Sequence, residues 1–327
     1  MLAERFPMVC KGLRKAAWFA GSFITYCIPR GIYRRRLPRL LASMTESERQ
    51  EVMRRTDYYN RMGTDARPTP SWRTVGGFRY PKGKRKFSTY FFDLYRSIRY
   101  FAPGLRFAYL PGDVTEIPGE PTIVKSRPLV QDGSDANSVL SRLNTVRHFY
   151  FPKDSRPFRS KKNMLVSRNA VYQPHRRKLL EMYFGHPMCD LGQINPDTNL
   201  QHQEWHKEYL TIPQQLEYKF VSCIEGNDVA TNLKWVMASN SLAVMPRPQY
   251  ETWFMEGTLI PDYHYVEIKP DYSDLIEKMQ YYIDRPEEAE AIIRHAHEYV
   301  DRFRNRRIEK LTQLCVLQKY FRNTGQI

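Results

Sequence analysis

Between residues 163 and 245 short apolar runs alternate with helix-patterned stretches: 163–167, 219–225 and 241–245 read as strands, 174–184 and 228–238 as helices. A strand covered on both faces reads as a continuous apolar run, and joining parallel neighbours takes a crossover long enough to hold a helix. The alternation therefore predicts a parallel sheet with helical crossovers, an α/β fold. Upstream, Thr45-Glu46-Ser47-Glu48 has capping-box spacing and opens a predicted helix to about residue 62. Residues 63–86 are rich in Pro, Gly and Arg and read as loop; 88–101 reads as a helix stopped by Pro103-Gly104. A short apolar run over 105–110 reads as a strand ending in Pro111-Gly112-Asp113, and 111–128, with four prolines and two glycines, as loop. The best linker is 150–162, which puts a domain boundary near 158, and 287–320 reads as one long charged helix.

Charge narrows the partners. The 327 residues carry 51 Lys+Arg against 35 Asp+Glu, a net charge of +16, and residues 1–43 hold nine basic side chains against the single acid Glu4, a net +8. Between the basic groups lie Trp18, Phe19, Phe23, Ile24 and Ile28, whose i, i+4 spacing makes an apolar stripe on a helix. Such a stripe flanked by cations suits a helix lying in an anionic membrane surface; a core helix with a solvated basic loop is the other reading. No run approaches the ~20 apolar residues of a spanning helix. The arginines after the 16–29 apolar run stand where a signal-peptide cleavage site would need small residues, against secretion. With 42% hydrophobic and 13% aromatic residues the chain can bury a core, which excludes a disordered protein. Cys10, Cys27, Cys189, Cys223 and Cys315 are scattered, with no C-x-x-C pair, so neither a disulfide framework nor a cysteine-rich zinc site is indicated, and a reducing compartment fits.

Two stretches carry the chemistry. In Lys219-Phe-Val-Ser-Cys-Ile-Glu225-Gly226-Asn227-Asp228-Val-Ala-Thr231-Asn232-Leu-Lys234-Trp235 an apolar strand enters a glycine turn and a helix leaves, with Lys234 in its first two turns. At the carboxyl end of a strand in an open α/β sheet, that arrangement presents N–H groups suited to phosphate; an ordinary strand-turn-helix with a structural cap has the same spacing. In the second, Arg168 ends a strand and Arg176 stands in the first turn of a helix, so both guanidiniums are able to converge on one anion; solvated arginines of a basic protein are the other reading. Metal signals are weak: His202 and His206 are at i, i+4 but not in H-E-x-x-H, and His186 and Cys189 add ligands only if the fold is assumed. There is no Asp-x-Asp after an apolar run, since Asp132/Asp135 and Asp271/Asp274 have the wrong spacing, and no P-loop, G-x-S-x-G or G-x-G-x-x-G motif.

Taken together, Ile224-Glu-Gly-Asn-Asp-Val-Ala-Thr-Asn-Leu-Lys-Trp235, Ala238-Ser-Asn-Ser241, Tyr250-Glu-Thr-Trp-Phe254 and His264-Tyr265 resemble glycosyltransferase family 90, closest to its bacterial lipopolysaccharide branch. The likeness also takes in Gly112-Asp113-Val114, Lys125-Ser-Arg-Pro128, Val146-Arg-His-Phe-Tyr150 and Pro187-Met-Cys-Asp-Leu-Gly192, and covers about 105–300. It implies a GT-B architecture, two Rossmann-like domains facing across a cleft, and an inverting, metal-independent transfer from a nucleotide sugar. On that reading Gly226, Asn227, Asp228, Thr231, Asn232 and Lys234 cradle the diphosphate. Arg168 falls on the arginine of the family's Phe-Arg-Gly turn and Arg176 on an arginine eight residues later. Asn169 replaces that turn's glycine, and Val171 and Asn232 stand where the animal enzymes have arginine, so phosphate neutralisation leans on Arg168, Arg176 and Lys234. Asp113 falls on the catalytic aspartate, the general base, although a turn aspartate capping its own backbone fits the residues alone; Glu116 is the nearest alternative.

The charge, the linker and the resemblance together divide the chain into four segments: 1–43, a basic membrane-associating stretch; 44–158, the acceptor-side domain; 159–300, the donor domain; and 301–327, a C-terminal helix able to pack back on the first domain. It implies a cytoplasmic bacterial enzyme, peripheral on the inner face of the inner membrane. This enzyme transfers a hexose from a UDP-sugar co-substrate to lipid-linked lipopolysaccharide core oligosaccharide, with no cofactor, no metal and no nucleic-acid partner. Transfer to protein or capsule polymer is an alternative within enzymes. A non-enzymatic nucleic-acid-binding protein is the alternative outside them, motivated by the +16 charge, 22 Tyr and 17 Phe.

Overall fold

The computed structural model describes residues 2–80, 87–195 and 202–327, with side chains from Gly12 onward. The side chains of Arg5, Cys10 and Lys11, and the 81–86 part of the expected loop, lie outside the described residues. In chain order the strands are β1 (Arg73–Thr74), β2 (Arg106–Tyr109), β3 (Thr122–Val124), β4 (Ser126–Pro128), β5 (Ser138–Leu140), β6 (Lys162–Asn169), β7 (Cys189–Gln193), β8 (Tyr218–Ser222), β9 (Leu242–Met245), β10 (Tyr250–Thr252) and β11 (Val266–Glu267). From Leu13 onward the chain forms two compact units. One comprises Leu13–Arg147, Gln249–Gly257 and Phe303–Ile327, the other His148–Pro248 and Thr258–Arg302.

In the first unit β2, β3 and β5 run parallel, with β1 antiparallel at the edge of β2. A separate ribbon pairs β4 with β10, placing Arg127 opposite Glu251. Charges this deep need partners. Arg127, fully buried, meets Glu251 at 2.7 Å and Asp135 at 3.1 Å. The expected capping box forms: Glu48 N donates to Thr45 Oγ1 at 3.2 Å and Thr45 N to Glu48 Oε2 at 3.0 Å, opening the helix Glu46–Tyr59. That helix packs on the last one, Arg306–Asn323, through Val52, Ile308, Leu311 and Cys315. Glu309 ties the interface together, accepting from Arg55 at 2.6 Å and from Trp253 Nε1 at 2.7 Å, while Tyr59 stacks on Trp253 with ring centroids 3.8 Å apart.

The second unit is a five-stranded, all-parallel sheet of order β11-β9-β8-β6-β7. Its core combines Leu165, Leu191, Phe220, Val244 and Val266 from the strands with Leu179 and Leu180 from the helix Pro174–Tyr183. Leu275 and Met279 join from Leu275–Asp284, and Ala289 and Ile292 from Pro286–Asp301. The fold is α/β. Strand β7 had no sequence signal, because Cys-Asp-Leu-Gly-Gln contains no β-branched residue.

Three expectations are corrected. The predicted helix over 287–320 is two, Pro286–Asp301 and Arg306–Asn323; Asn305 caps the second, its Oδ1 accepting from Arg307 N at 3.0 Å and Ile308 N at 3.2 Å. The helix expected over 228–238 is a single turn, Leu233–Val236, since Asn232 directs its side chain back to the Ser222 carbonyl at 2.8 Å rather than capping. The stretch 150–162 is no free tether: Lys161 Nζ, buried, meets Asp154 at 2.6 Å and donates to Ser241 Oγ at 2.8 Å, and Asn240 binds the Asp154 carbonyl at 2.9 Å. The amino-terminal segment is helical as Leu2–Cys27 and again as Arg30–Ala42, broken at Pro29.

Candidate functional site

Read from β7, the sheet of the second unit has the order second, first, third, fourth, fifth strand, and it reverses direction between β6 and β8. In open α/β sheets the crevice beyond the carboxyl ends of the strands at such a switch point is where ligands bind, because the two loops part there. One side chain spans it. Arg176, in the first turn of the helix after β6, donates from Nη1 to Ala170 O at 3.0 Å, from Nη2 to Ile224 O at 2.9 Å and from Nε to Glu225 O at 2.8 Å. It thus clamps the loop after β6 to the turn after β8. His175 Nε2 meets the same Glu225 carbonyl at 2.8 Å, and Gln173 Nε2 donates to Asn227 Oδ1 at 2.8 Å. A Cβ on Gly226 would lie 3.3 Å from Arg176 Nη2, so the absence of a side chain lets the guanidinium lie against the turn.

The structure therefore brings Arg176, Gly226 and Asn227 together, with Asn227 exposed and Gly226, Thr231 and Asn232 half-buried. Asp228 is buried and its carbonyl accepts from Gly226 N at 2.9 Å, tightening the turn. Lys234 is fully buried beneath the loop, where its charge opposes the burial that pushes the Cys223 thiol well above its ordinary range. Arg168 does not join this group. Its Nη2 lies 2.8 Å from Asp190 Oδ1, Nη1 donates to Asp190 O and Ser167 O at 2.9 and 3.0 Å, and Nε to Glu208 O at 3.1 Å. The expected convergence of Arg168 and Arg176 is not seen: their hydrogen-bond partners are disjoint. Burial would raise the Asp190 carboxyl, but hydrogen bonds from Tyr218, Arg168 and Lys207 outweigh it and hold the group at about 2. The His202-to-His206 stretch is not an α-helix but a short turn at Gln203–Trp205, with His202 stacked on Trp205 at 3.9 Å and bonded to Glu204 at 3.0 Å.

In the other unit Asp113 lies just past β2, at the carboxyl edge of the three parallel strands. Gly112 turns the chain there at φ 111°, a region closed to most side chains, and a Cβ would also lie 3.2 Å from the Phe87 ring. Val114 N donates to Ser126 Oγ at 3.1 Å, anchoring the far side of the turn. The Asp113 carboxylate is 39% exposed and meets the Nζ of Lys125, itself 4% exposed, at 2.5 Å. Sequence reasoning included Lys125 in a motif but did not pair it; a lysine directly after the apolar strand Thr122–Val124 was the available signal. Glu116 is exposed.

The chain is 45% identical over 238 residues, 73% of its length and 74% of the relative's, to the O-glucosyltransferase LpsA of Dichelobacter nodosus. It is 28% identical over 127 residues, 36% of its own length and 11% of the relative's, to uncharacterized protein 179R of Invertebrate iridescent virus 6. The family model described as glycosyl transferase family 90 matches residues 153–320, a span that takes in Arg168, Arg176 and the Gly226 turn and begins after Asp113. On the family match and the 45% identity together, the chain belongs to glycosyltransferase family 90 and is a glycosyltransferase.

Proposed function

We propose that this enzyme transfers a hexosyl group from a UDP-sugar to lipid-linked lipopolysaccharide core oligosaccharide, with inversion and without a metal ion. The observation that carries the donor reading is the Arg176 clamp on the Gly226 turn at the switch point: it sets a guanidinium against a glycine turn where a diphosphate needs a cation and close backbone approach. Asn227, Thr231 and Asn232 border the same turn and are the donor contacts we favour; Asp228 and Lys234 are buried, and Arg168 is paired with Asp190. A relative described as an O-glucosyltransferase supports a glucosyl donor as the first to test. Asp113 is the base that takes the acceptor hydroxyl proton, aimed by Lys125. The GT-B pairing of two domains, the division at 158 and the peripheral position on the inner membrane belong to this reading. The two α/β units support the pairing, though not a division at 158, and the peripheral position is supported by the exposed basic helices and by the finding that among the described residues no helix is long and apolar enough to cross a membrane.

Uridine diphosphate should raise the melting temperature of the full chain, since a ligand that binds only the native state stabilises it, by about 2.7 kcal/mol at a hundredfold excess over Kd. Arg176→Ala should remove most of that stabilisation. Transfer from UDP-glucose should survive EDTA. No stabilisation by uridine diphosphate would overturn the donor assignment, and activity lost in EDTA and restored by Mn²⁺ would overturn the metal-free mechanism.

A further inference from the structure

The first unit holds a cavity of about 380 Å³ that the reaction as described above does not use, lined by Tyr26, Arg30, Arg34, Gly76, Arg79, Tyr95, Phe101 and Pro103. Among the described residues, three guanidiniums and no carboxylate line it. Arg30 is fixed: Nη2 donates to Phe78 O at 2.7 Å, Nε to Tyr95 Oη at 3.3 Å, Nη1 to Val75 O, and its guanidinium lies 5.0 Å from the Tyr95 ring centroid. Arg34 and Arg79 are exposed and make no hydrogen bond or ion pair among the described residues. Tyr26 and Tyr95 pack with ring centroids 4.8 Å apart and supply an aromatic wall.

Bringing three like charges to one cavity is unfavourable, and Arg30 and Arg34 also open a helix whose dipole repels cations and whose first turn holds no acid. An anion reverses the sign of all these terms at once. The guanidinium fork matches phosphate oxygens two at a time, and the volume falls in the range of small-molecule sites, larger than one phosphate needs. We infer that this cavity binds a phosphomonoester carried on a sugar or on a lipid headgroup, with Arg34 and Arg79 gripping the phosphate, Arg30 fixed behind them and the tyrosine wall taking the rest of the ligand. In the proposed reaction the ligand would be a phosphorylated acceptor, and for that identity, though not for the site, the inference rests on the function proposed above.

The test is calorimetric titration of the full chain with mannose 6-phosphate and with mannose, at low ionic strength and with uridine diphosphate present in excess. Flotation with phosphatidylcholine vesicles, with and without phosphatidic acid, provides the lipid arm. The sugar phosphate should bind and mannose should not, and Arg34→Ala/Arg79→Ala should weaken binding by about tenfold or more. Arg35→Ala/Arg36→Ala removes the same amount of charge outside the cavity, from the helix that carries Arg34, and should leave binding unchanged. Arg34→Lys/Arg79→Lys, which keeps the charge, should recover part of the loss. Binding of phosphatidic acid vesicles alone, lost in the first variant and kept in the second, assigns the phosphate to a lipid and upholds the site. Equal losses in both alanine variants, or no binding of either probe, overturns it. Stabilisation by uridine diphosphate is read in every variant, so failure of the donor reading shows there and failure of this one does not.

Discussion

Asp113 combines two properties that a general base needs, access and a fixed direction. Its carboxylate reaches solvent while the buried Lys125 ammonium orients it, and Gly112 makes the turn that delivers it to the edge of the sheet. A positioned base contributes about 10²- to 10⁴-fold. Asp113→Asn should therefore lower turnover by that order, with stabilisation by uridine diphosphate and melting temperature near wild type. Turnover within about threefold of wild type would fall below the range of a positioned base and pass the role to Glu116. Pro111-Gly112-Asp113 was legible as a turn, because proline and glycine restrict the backbone locally. Its partner was not, since nothing local pairs residue 113 with residue 125.

Asp190 links three adjacent strands: it stands on β7, Arg168 on β6 and Tyr218 on β8, with Tyr218 Oη 2.6 Å away. Sequence analysis assigned Arg168 to phosphate; in the sheet its guanidinium is held by Asp190 and by the Ser167 and Glu208 carbonyls. The carboxyl sits at about 2 in the folded protein, against about 3.9 for an unperturbed aspartate. A depressed carboxylate pKa adds stability that is fully present above the unfolded value and fades as pH falls through the folded one. Asp190→Asn should thus lower the melting temperature at neutral pH. The gap to wild type should narrow as pH drops from about 4 toward about 2. A gap constant across that window would show that the charge of Asp190 does not matter. The single helical turn at Leu233–Val236 belongs to this scale too: apolar spacing called for a longer helix, but the Asn232 side chain bonds back to β8 and the loop holds the turn instead.

At the scale of the molecule the amino-terminal helices are divided in their loyalties. Trp18, Phe19 and Phe23 bring their rings within 4.8–6.1 Å of Phe92 on the helix Ser88–Ile98, so part of the apolar stripe is core, as one of the two readings had it. Leu13, Phe23, Ile24 and Ile32 nonetheless remain 64%, 44%, 68% and 45% exposed, beside the exposed cations Arg14, Lys15, Arg34, Arg35, Arg36 and Arg39. An exposed apolar and basic surface of this kind favours an anionic bilayer. Removing residues 1–43 should abolish co-sedimentation with anionic liposomes, and rising salt should weaken binding by the full chain as screening shortens the reach of its charges. Undiminished binding without the segment would refute the assignment. Packing against Phe92 means the deletion also needs a check of melting temperature, with Leu13→Glu/Ile24→Glu as the variant that keeps the fold.

The sequence by itself determined the elements that depend on near neighbours: the alternation that makes the fold α/β, the Thr45–Glu48 cap, the turns at Gly112 and Gly226, and membership of a glycosyltransferase family. These follow from backbone restriction and from contacts a few residues apart, which spacing records directly. Only the tertiary structure decided which strands are neighbours, that β10 and the final helix build the unit of β1–β5, that Arg168 serves Asp190, and that Arg176 reaches the carbonyls at Ile224 and Glu225. Those choices join residues from 22 to 254 positions apart, as between Arg168 and Asp190 and between Arg55 and Glu309. They are set by the requirement that every buried charge and carbonyl find a partner, a condition met globally and invisible in any local stretch of chain.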